Sequence, residues 1–410
     1  MRNVVGIIGE YNPFHNGHIF HLEQSKKTAK ADYTIAIISG NFVQRGNVSI
    51  VDKWTKAHMA LCNGVDLVLE LPTIYSISSA ENFADGAIKI LDALNIVDYV
   101  SFGSETADLT TLDTIADILH RQPSEYISLL NHELSKGLSF PKARENAILM
   151  YLNDIRRYSH VLSSPNNILG IEYLKALKRH KSTIQPIAIP RESVGYHDTA
   201  MINNFASATA IREMICTNHL AKLPYVMPPV TYKILYHAFQ KGHYVKDLAR
   251  FEKEIIYTLR RMSLSEIANL PDVSEGLEYA LKNAAGFCNT LEEFMNIIQT
   301  KRYTNTRIYR ILLYALLGIT KADMKLSKKI TPYTRVLGFN EKGKELLSII
   351  SSSKTDTDII TSVKKYIDSN PSKNMKRLLE IDTRATDLYT IGYVKDSWAN
   401  LDYTHNMVIL

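Results

Sequence analysis

The chain has 410 residues, 45% of them hydrophobic and 22% charged, which excludes a disordered scaffold and allows a large core in two or three domains. The formal net charge of +6 is unevenly placed: residues 1–215 carry 20 Lys and Arg against 22 Asp and Glu, and residues 216–410 carry 28 against 20, so the basic excess belongs to the second half. The N-terminus has no signal-peptide apolar run, the longest strongly apolar stretch, 311–319, is too short to span a bilayer, and Cys62, Cys216 and Cys288 form neither a CxxC pair nor a disulfide framework; a reduced cytoplasmic compartment without a membrane is expected.

Residues 4–9 form a short β-branched run, followed by a turn at Tyr11-Asn12-Pro13, a helical stretch to Lys30 and a second apolar strand over 33–39. This is the opening of a parallel sheet. Residues 65–71, 97–102 and 185–189 supply further buried strands, separated by helices such as 79–94 and 168–178. The expected architecture is a doubly wound α/β domain over 1–215. Pro224, Pro228 and Pro229 then mark a linker into a mainly helical, basic region over 216–330. Residues 331–410, with a strand-like 333–339, read as a small C-terminal appendage.

The chemistry is most legible after the first strand, in Gly9-Glu10-Tyr11-Asn12-Pro13-Phe14-His15-Asn16-Gly17-His18. An HxGH between a strand and a helix puts two imidazoles beside a helix N-terminus, where backbone N–H groups and the helix dipole favour phosphate. With 13 His and 18 Gly in the chain, the pattern is expected by chance only about 0.02 times, so a pair of incidental surface histidines is the weaker reading. No Ser-His-Asp or Cys-His arrangement is apparent.

These residues resemble the HxGH nucleotidyltransferase superfamily, relatives of the class I aminoacyl-tRNA synthetases. The resemblance implies that His15 and His18 hold ATP phosphates and stabilise charge building on the α-phosphate. A second superfamily element, a helix opening of the form ISSTxIR, is matched by Ala206-Ser207-Ala208-Thr209-Ala210-Ile211-Arg212. Ser207 or Thr209 can cap that helix while Arg212 reaches the phosphates; Ala208 lacks the hydroxyl of the family pattern. Lys325-Leu326-Ser327-Lys328-Lys329 is a rival, similar to the KMSKS loop of the synthetases, but it lies far beyond the last expected sheet strand and in a basic run, where RNA contact is the better use.

More of the first domain resembles one family, the bacterial tRNA(Met) cytidine acetate ligases. The similar stretches are 6–18, Ser39-Gly40-Asn41-Phe42-Val43-Gln44-Arg45-Gly46 with Asp52-Lys53-Trp54, Ser101-Phe102-Gly103-Ser104-Glu105, 165–173 and Ile189-Pro190-Arg191, running on into Lys301-Arg302-Tyr303-Thr304. The resemblance implies that acetate attacks the α-phosphate of ATP to give acetyl-adenylate, whose acetyl group passes to N4 of the wobble cytidine of elongator tRNA(Met). It also implies ATP contacts at Gly6, Ile7, Ile8, Gly9, Glu10, Tyr11, Asn12, Pro13, Phe14, His15, Asn16, Gly17, His18, Gly103, Asn167 and Arg191. Arg45 and Lys53 flank a loop after the second strand; one of them holds the acetate carboxylate or the departing pyrophosphate, or else pairs with a carboxylate such as Asp52. Magnesium is expected with ATP, and no carboxylate cluster names its ligands.

For RNA, the window 301–335 holds nine basic residues and one acid, Asp323. At helical periodicity Ile308, Ile311, Leu312, Ala315, Leu316 and Ile319 form one face, and Tyr303, Arg307, Arg310 and Tyr314 the other. That second stripe, with Lys301, Arg302, Lys325, Lys328 and Lys329, is the expected tRNA surface. Two other classes stay open: a nucleotidyltransferase making a small coenzyme, which leaves the basic half without a purpose, and a non-catalytic RNA-binding protein.

Overall fold

The computed structural model describes residues 2–191, 205–274, 276–298 and 303–410. Five parallel strands form its centre: β1 (Val4–Gly9), β2 (Tyr33–Ser39), β5 (Leu67–Leu71), β6 (Tyr99–Ser104) and β7 (Gln185–Pro190), in the order β5-β2-β1-β6-β7. Between β2 and β5 a two-stranded antiparallel ribbon, β3 (Phe42–Val43) and β4 (Asn47–Val48), projects from the sheet's carboxyl end. The β-branched and leucine-rich runs of β1, β2 and β5 are buried nearly throughout, as strands covered on both faces must be. Chain order reverses between β1 and β6, so the crevice outside their carboxyl ends is where a doubly wound sheet binds ligands.

Helix α1 (Asn16–Ala29) follows β1 and α2 (Lys53–Cys62) follows the ribbon. Asp52 caps α2, accepting from Thr55 N–H at 2.8 Å. The second half is helical between residues 208 and 329 among the described residues, and one hydrophobic cluster joins Ile37 and Phe102 of the sheet to Phe251, Leu281 and Leu312. A second cluster joins Ile7, Tyr11 and Phe14 to Leu223, Val226 and Leu235.

Residues 331–410 are not an appendage. Strand β8 (Thr334–Phe339) pairs antiparallel with β5, Leu67 opposite Phe339, and β9 (Ile359–Ile360) and β10 (Val408–Ile409) pair parallel with β8. The reason lies partly in a buried ionic quartet. Lys53 Nζ stands 3.0 Å from Glu70 Oε1 and 2.7 Å from Asp402 Oδ1, while Arg335 Nη1 and Nη2 reach Glu70 at 3.2 Å and Asp402 at 2.6 Å. Burial pushes the Asp402 carboxyl up, but Arg335 and Lys53 outweigh it and bring it down to about 2. Two cations and two carboxylates from α2, β5, β8 and the C-terminal segment can be buried only together. Of the two roles expected for Lys53, ligand contact or a carboxylate pair, the structure shows the pair, with Glu70 and Asp402 in place of Asp52 and with the side chain fully buried instead of at the surface.

The expected RNA stripe on the helix Asn305–Leu317 is also corrected. Its apolar face packs inward as expected, but Tyr314 is buried too. Arg307 donates to Asp272 O at 2.9 and 2.6 Å and to Ser274 Oγ at 2.9 Å, and its guanidinium lies 4.9 Å from the centre of the Tyr303 ring. Arg310 pairs with the Asp272 carboxylate at 2.9 Å. Helical periodicity finds two faces but does not say that the second is solvent; here it holds the 272–274 turn. Lys301 and Arg302 lie outside the described residues. Lys325, Lys328 and Lys329 are exposed on the helix Lys321–Lys329, which is capped by Thr320 and is no mobile synthetase-like loop.

Candidate active site

A cleft of about 250 Å³ opens at the carboxyl ends of β1 and β6. Both motifs meet there, although about 190 residues separate them in sequence. Lining it are Ile7, Ile8, Gly9, Glu10, Tyr11, Asn12, His15, Gly17 and His18 from the first motif, Gly103 and Arg191 from the ends of β6 and β7, and Ser207, Thr209 and Arg212 from the second motif, with Arg45 from the ribbon. Gly6, Pro13, Phe14, Asn16 and Asn167 are not among the lining residues. A Cβ on Gly6 would meet Leu91 at 2.8 Å, so that glycine serves strand-to-helix packing.

The two histidines are arranged by reciprocal capping. His15 Nδ1 accepts from Gly17 N–H at 3.1 Å, and His18 Nδ1 accepts from His15 N–H at 3.2 Å. With each Nδ1 occupied as an acceptor, the proton of each neutral ring sits on Nε2. The rings stack with centroids 3.7 Å apart, and Tyr11 and Phe14 pack against His18 at 4.8 and 5.3 Å. Gly17 is required by this geometry, since a Cβ there would stand 2.9 Å from His15 Cε1.

Burial first, then Arg191 and Arg212, push the His15 imidazole down to about 3. Burial and the neighbouring His15 and Arg191 lower His18 as well, and burial with Arg191 takes His21 down to about 4. All three are neutral near pH 7, so His15 and His18 present neutral imidazoles to the cleft, each with one N–H to donate. Because these folded-state values lie below the ordinary 6.5, the unfolded chain binds more protons as pH falls through 6.5, and stability falls with it, each group approaching a slope of about 1.4 kcal/mol per pH unit until its own folded value is reached. The His15 and His21 ring resonances are therefore expected to keep neutral-imidazole shifts down to pH 5 while the denaturant midpoint drops. Titration of both rings near 6.5 in the folded protein would contradict this.

The second motif is built as its sequence suggests. Ser207 caps the helix Ala208–Cys216, accepting from Ala210 N–H at 3.1 Å. Arg212 donates to Thr209 Oγ1 at 3.0 Å and to Asn12 O at 3.1 Å, tying the two motifs together. The cleft therefore faces two helix N-termini, two neutral imidazole donors and guanidinium groups, an arrangement for a polyphosphate. Gly103 lets the Arg191 stem cross the end of β6, since a Cβ there would stand 3.3 Å from Arg191 Cγ.

Asn167, expected to touch nucleotide, is fully buried. Its Oδ1 accepts from Ser104 Oγ at 2.7 Å and Glu105 N–H at 3.0 Å and so shapes the turn after β6, while its buried Nδ2, next to the cleft-lining Asn166, has no hydrogen-bond partner among the described residues and keeps its donors for a ligand. Sequence reasoning missed His21, three residues after His18 on the same helix face, as well as Tyr173 and Asn166, all of which line the cleft. It also missed Lys56, whose buried ammonium donates to Ser39 O and Gly40 O at 2.7 Å and to Glu10 O at 3.0 Å. A lone lysine in a helix carries no signal that it will be buried against two strand ends. For magnesium the described residues offer no group of three His, Cys, Asp or Glu. Among the described residues the one carboxylate lining the cleft, Glu10, accepts from Gln44 N–H at 3.0 Å, and these residues alone fit a resident metal poorly.

The model of the HIGH Nucleotidyl Transferase family matches residues 2–402. A tRNA(Met) cytidine acetate ligase of Acetivibrio thermocellus is 43% identical over 415 residues, covering 99% of this chain and 100% of the relative. One from Thermoanaerobacter sp. (strain X514) is 46% identical over 408 residues, again covering 99% and 100%. Among solved structures, Thermotoga maritima TmcAL in its apo form superposes with a TM-score of 0.95 at 32% identity, covering 100% of this chain and 99% of that one. The same protein bound with alpha-thio ATP gives 0.93, with the same identity and coverage. A cleft built from both nucleotidyltransferase motifs and similarity along essentially the whole chain lead to one assignment: this chain is an enzyme of the ligase class and belongs to the tRNA(Met) cytidine acetate ligase family of HIGH nucleotidyltransferases.

Proposed function

We propose that the enzyme joins acetate to ATP, forming acetyl-adenylate and pyrophosphate, and transfers the acetyl group to N4 of the wobble cytidine of elongator tRNA(Met), giving N4-acetylcytidine. The observation that carries the reading is the pair of stacked imidazoles with Nε2–H donors, set at a helix N-terminus opposite Arg212, in a chain whose relatives bear that name. A carboxylate has no usable leaving group, and the cytosine amine is a poor nucleophile because its lone pair is delocalised into the ring. AMP as leaving group answers both.

In this reading the triphosphate lies across the N-termini of α1 and the helix Ala208–Cys216, and the acetate oxygen attacks the α-phosphorus in line with departing pyrophosphate. His15 and His18 donate to the oxygens on which charge develops, Arg212 and Arg191 neutralise the phosphates, and Arg45 faces the incoming carboxylate or the leaving pyrophosphate. No protein nucleophile is needed; positioning and charge stabilisation carry the step. Magnesium enters as the counter-ion ATP brings with it. The reaction belongs in the cytoplasm with tRNA, and among the described residues no helix is long and apolar enough to cross a membrane.

The test is exchange of labelled pyrophosphate into ATP without tRNA, run with acetate, with coenzyme precursors and with neither. Acetate-dependent exchange, reduced in Arg212→Ala and retained in Lys328→Ala, is expected. Exchange driven by a coenzyme precursor, or by none of them, would replace this reading with one of its rivals.

A further inference from the structure

The reading above requires a surface for tRNA, and the arginines of the helix Asn305–Leu317 are spent on the 272–274 turn. The basic excess of the second half has another site. Residues 214–246 contain no Asp or Glu, but hold Lys222, Lys233, Lys241 and Lys246 together with Tyr225, Tyr232, Tyr236 and Tyr244. This segment folds as a short turn around Lys222 and Tyr225 followed by the helix Pro229–Lys241.

One side of that helix is fixed to the catalytic half. Leu235 and Ala238 are buried in the cluster that contains Tyr11 and Phe14 of the HxGH loop, and Thr231 Oγ1 accepts from Nδ2 of Asn63, the residue after α2, at 2.9 Å. The other side carries Lys233, Tyr236, His237 and Lys241, all exposed. The Tyr236 ring stacks on Tyr232 at 6.1 Å with an interplanar angle of 27°, and it is 50% exposed; Tyr225 is 62% exposed. Among the described residues Lys222, Lys233 and Lys241 have no carboxylate partner, in contrast to Arg310. The face begins at the mouth of the cleft, because Tyr225 O accepts from Asn16 Nδ2 at 3.2 Å and Asn16 follows His15 directly.

Unpaired lysines among exposed tyrosines suit a ligand that has both phosphates and unstacked bases, which is single-stranded RNA. Continuity with the cleft matters because a wobble base must leave its stack to reach the acetyl-adenylate. We propose that the face carrying Lys222, Tyr225, Lys233 and Tyr236 is the docking surface for the anticodon loop of the substrate tRNA. The inference rests on the proposed function for the identity of that RNA, but binding can be measured without acetyl transfer.

The experiment uses the full chain and a tRNA(Met) transcript, with binding followed across a salt series. Lys222→Glu/Lys233→Glu is expected to weaken binding about tenfold or more and to lower the slope of log affinity against log salt by about 1.4, or 0.7 for each single-strand phosphate that is no longer neutralised. Tyr236→Ala is expected to weaken binding several-fold with an unchanged slope, and Tyr236→Phe to restore it, since stacking does not need the hydroxyl. All three variants should retain acetate-dependent pyrophosphate exchange without tRNA. Wild-type affinity and slope in Lys222→Glu/Lys233→Glu would overturn the proposal, as would the same variant losing binding to phosphatidylserine vesicles but not to RNA. A wild-type enzyme that binds the transcript through this face but exchanges no pyrophosphate with acetate would sink the proposed reaction and leave the surface standing.

Discussion

A folded His18→Ala variant is expected to release pyrophosphate in the acetate-dependent half-reaction roughly 10² to 10³ times more slowly than the wild type, the loss typical of one pre-organised donor to transition-state charge. The geometry makes the expectation specific. His18 Nδ1 is occupied by His15 N–H, so the ring's one donor is Nε2–H, in a cleft where burial holds the imidazole neutral. Removing the ring also frees His15 N–H, and a second variant separates the two effects: the side-chain oxygen of His18→Asn can accept from His15 N–H but does not extend to the Nε2 position. His18→Asn is expected to lose rate like His18→Ala while keeping a wild-type melting temperature. Undiminished pyrophosphate release in either folded variant would remove His18 from the chemistry and leave Arg191 and Arg212 as the candidates for charge stabilisation.

Lys53→Ala is expected to cost about 3–5 kcal/mol of folding stability, the range found when one partner of a buried ion pair is deleted. The side chain is fully buried and faces Glu70 and Asp402, which are buried as well. Its loss leaves Arg335 alone to compensate two carboxylates across the junction between β5, β8 and the C-terminal segment. Urea unfolding gives the difference directly. Lys53→Ala/Asp402→Asn should be less unstable than the sum of the two single variants, because each single change strands a charge that the double change removes. A loss below about 1 kcal/mol in Lys53→Ala would mean that water reaches the quartet, and would return Lys53 to consideration as a ligand-facing cation.

How much was legible follows from the range of each interaction. The strand-to-helix turn after β1 is local: its apolar run, its turn residues and its HxGH lie within 15 residues, so the sequence alone determined that two imidazoles stand at the N-terminus of α1. The cap by Ser207 and the Thr209–Arg212 contact are equally local, spanning three residues each. Resemblance then supplied the reaction, with motifs spread over the first domain.

What only the tertiary structure decided are the long-range matters. The sequence pattern of 333–339 identifies a strand but carries no information about its partner, and it was burial of the β5 edge and of the ionic quartet that made this strand part of the main sheet. Lys53 and Lys56 are the same residue type three positions apart, and nothing local says that one neutralises Glu70 and Asp402 while the other satisfies the carbonyls that end β1 and β2. Arg307, Arg310 and Tyr314 make the same point on a helix. Periodicity separates its faces by angle, but whether a face meets water depends on what packs there: the Asp272 carbonyl, 35 residues before Arg307 in sequence, accepts from Arg307, and the Asp272 carboxylate pairs with Arg310.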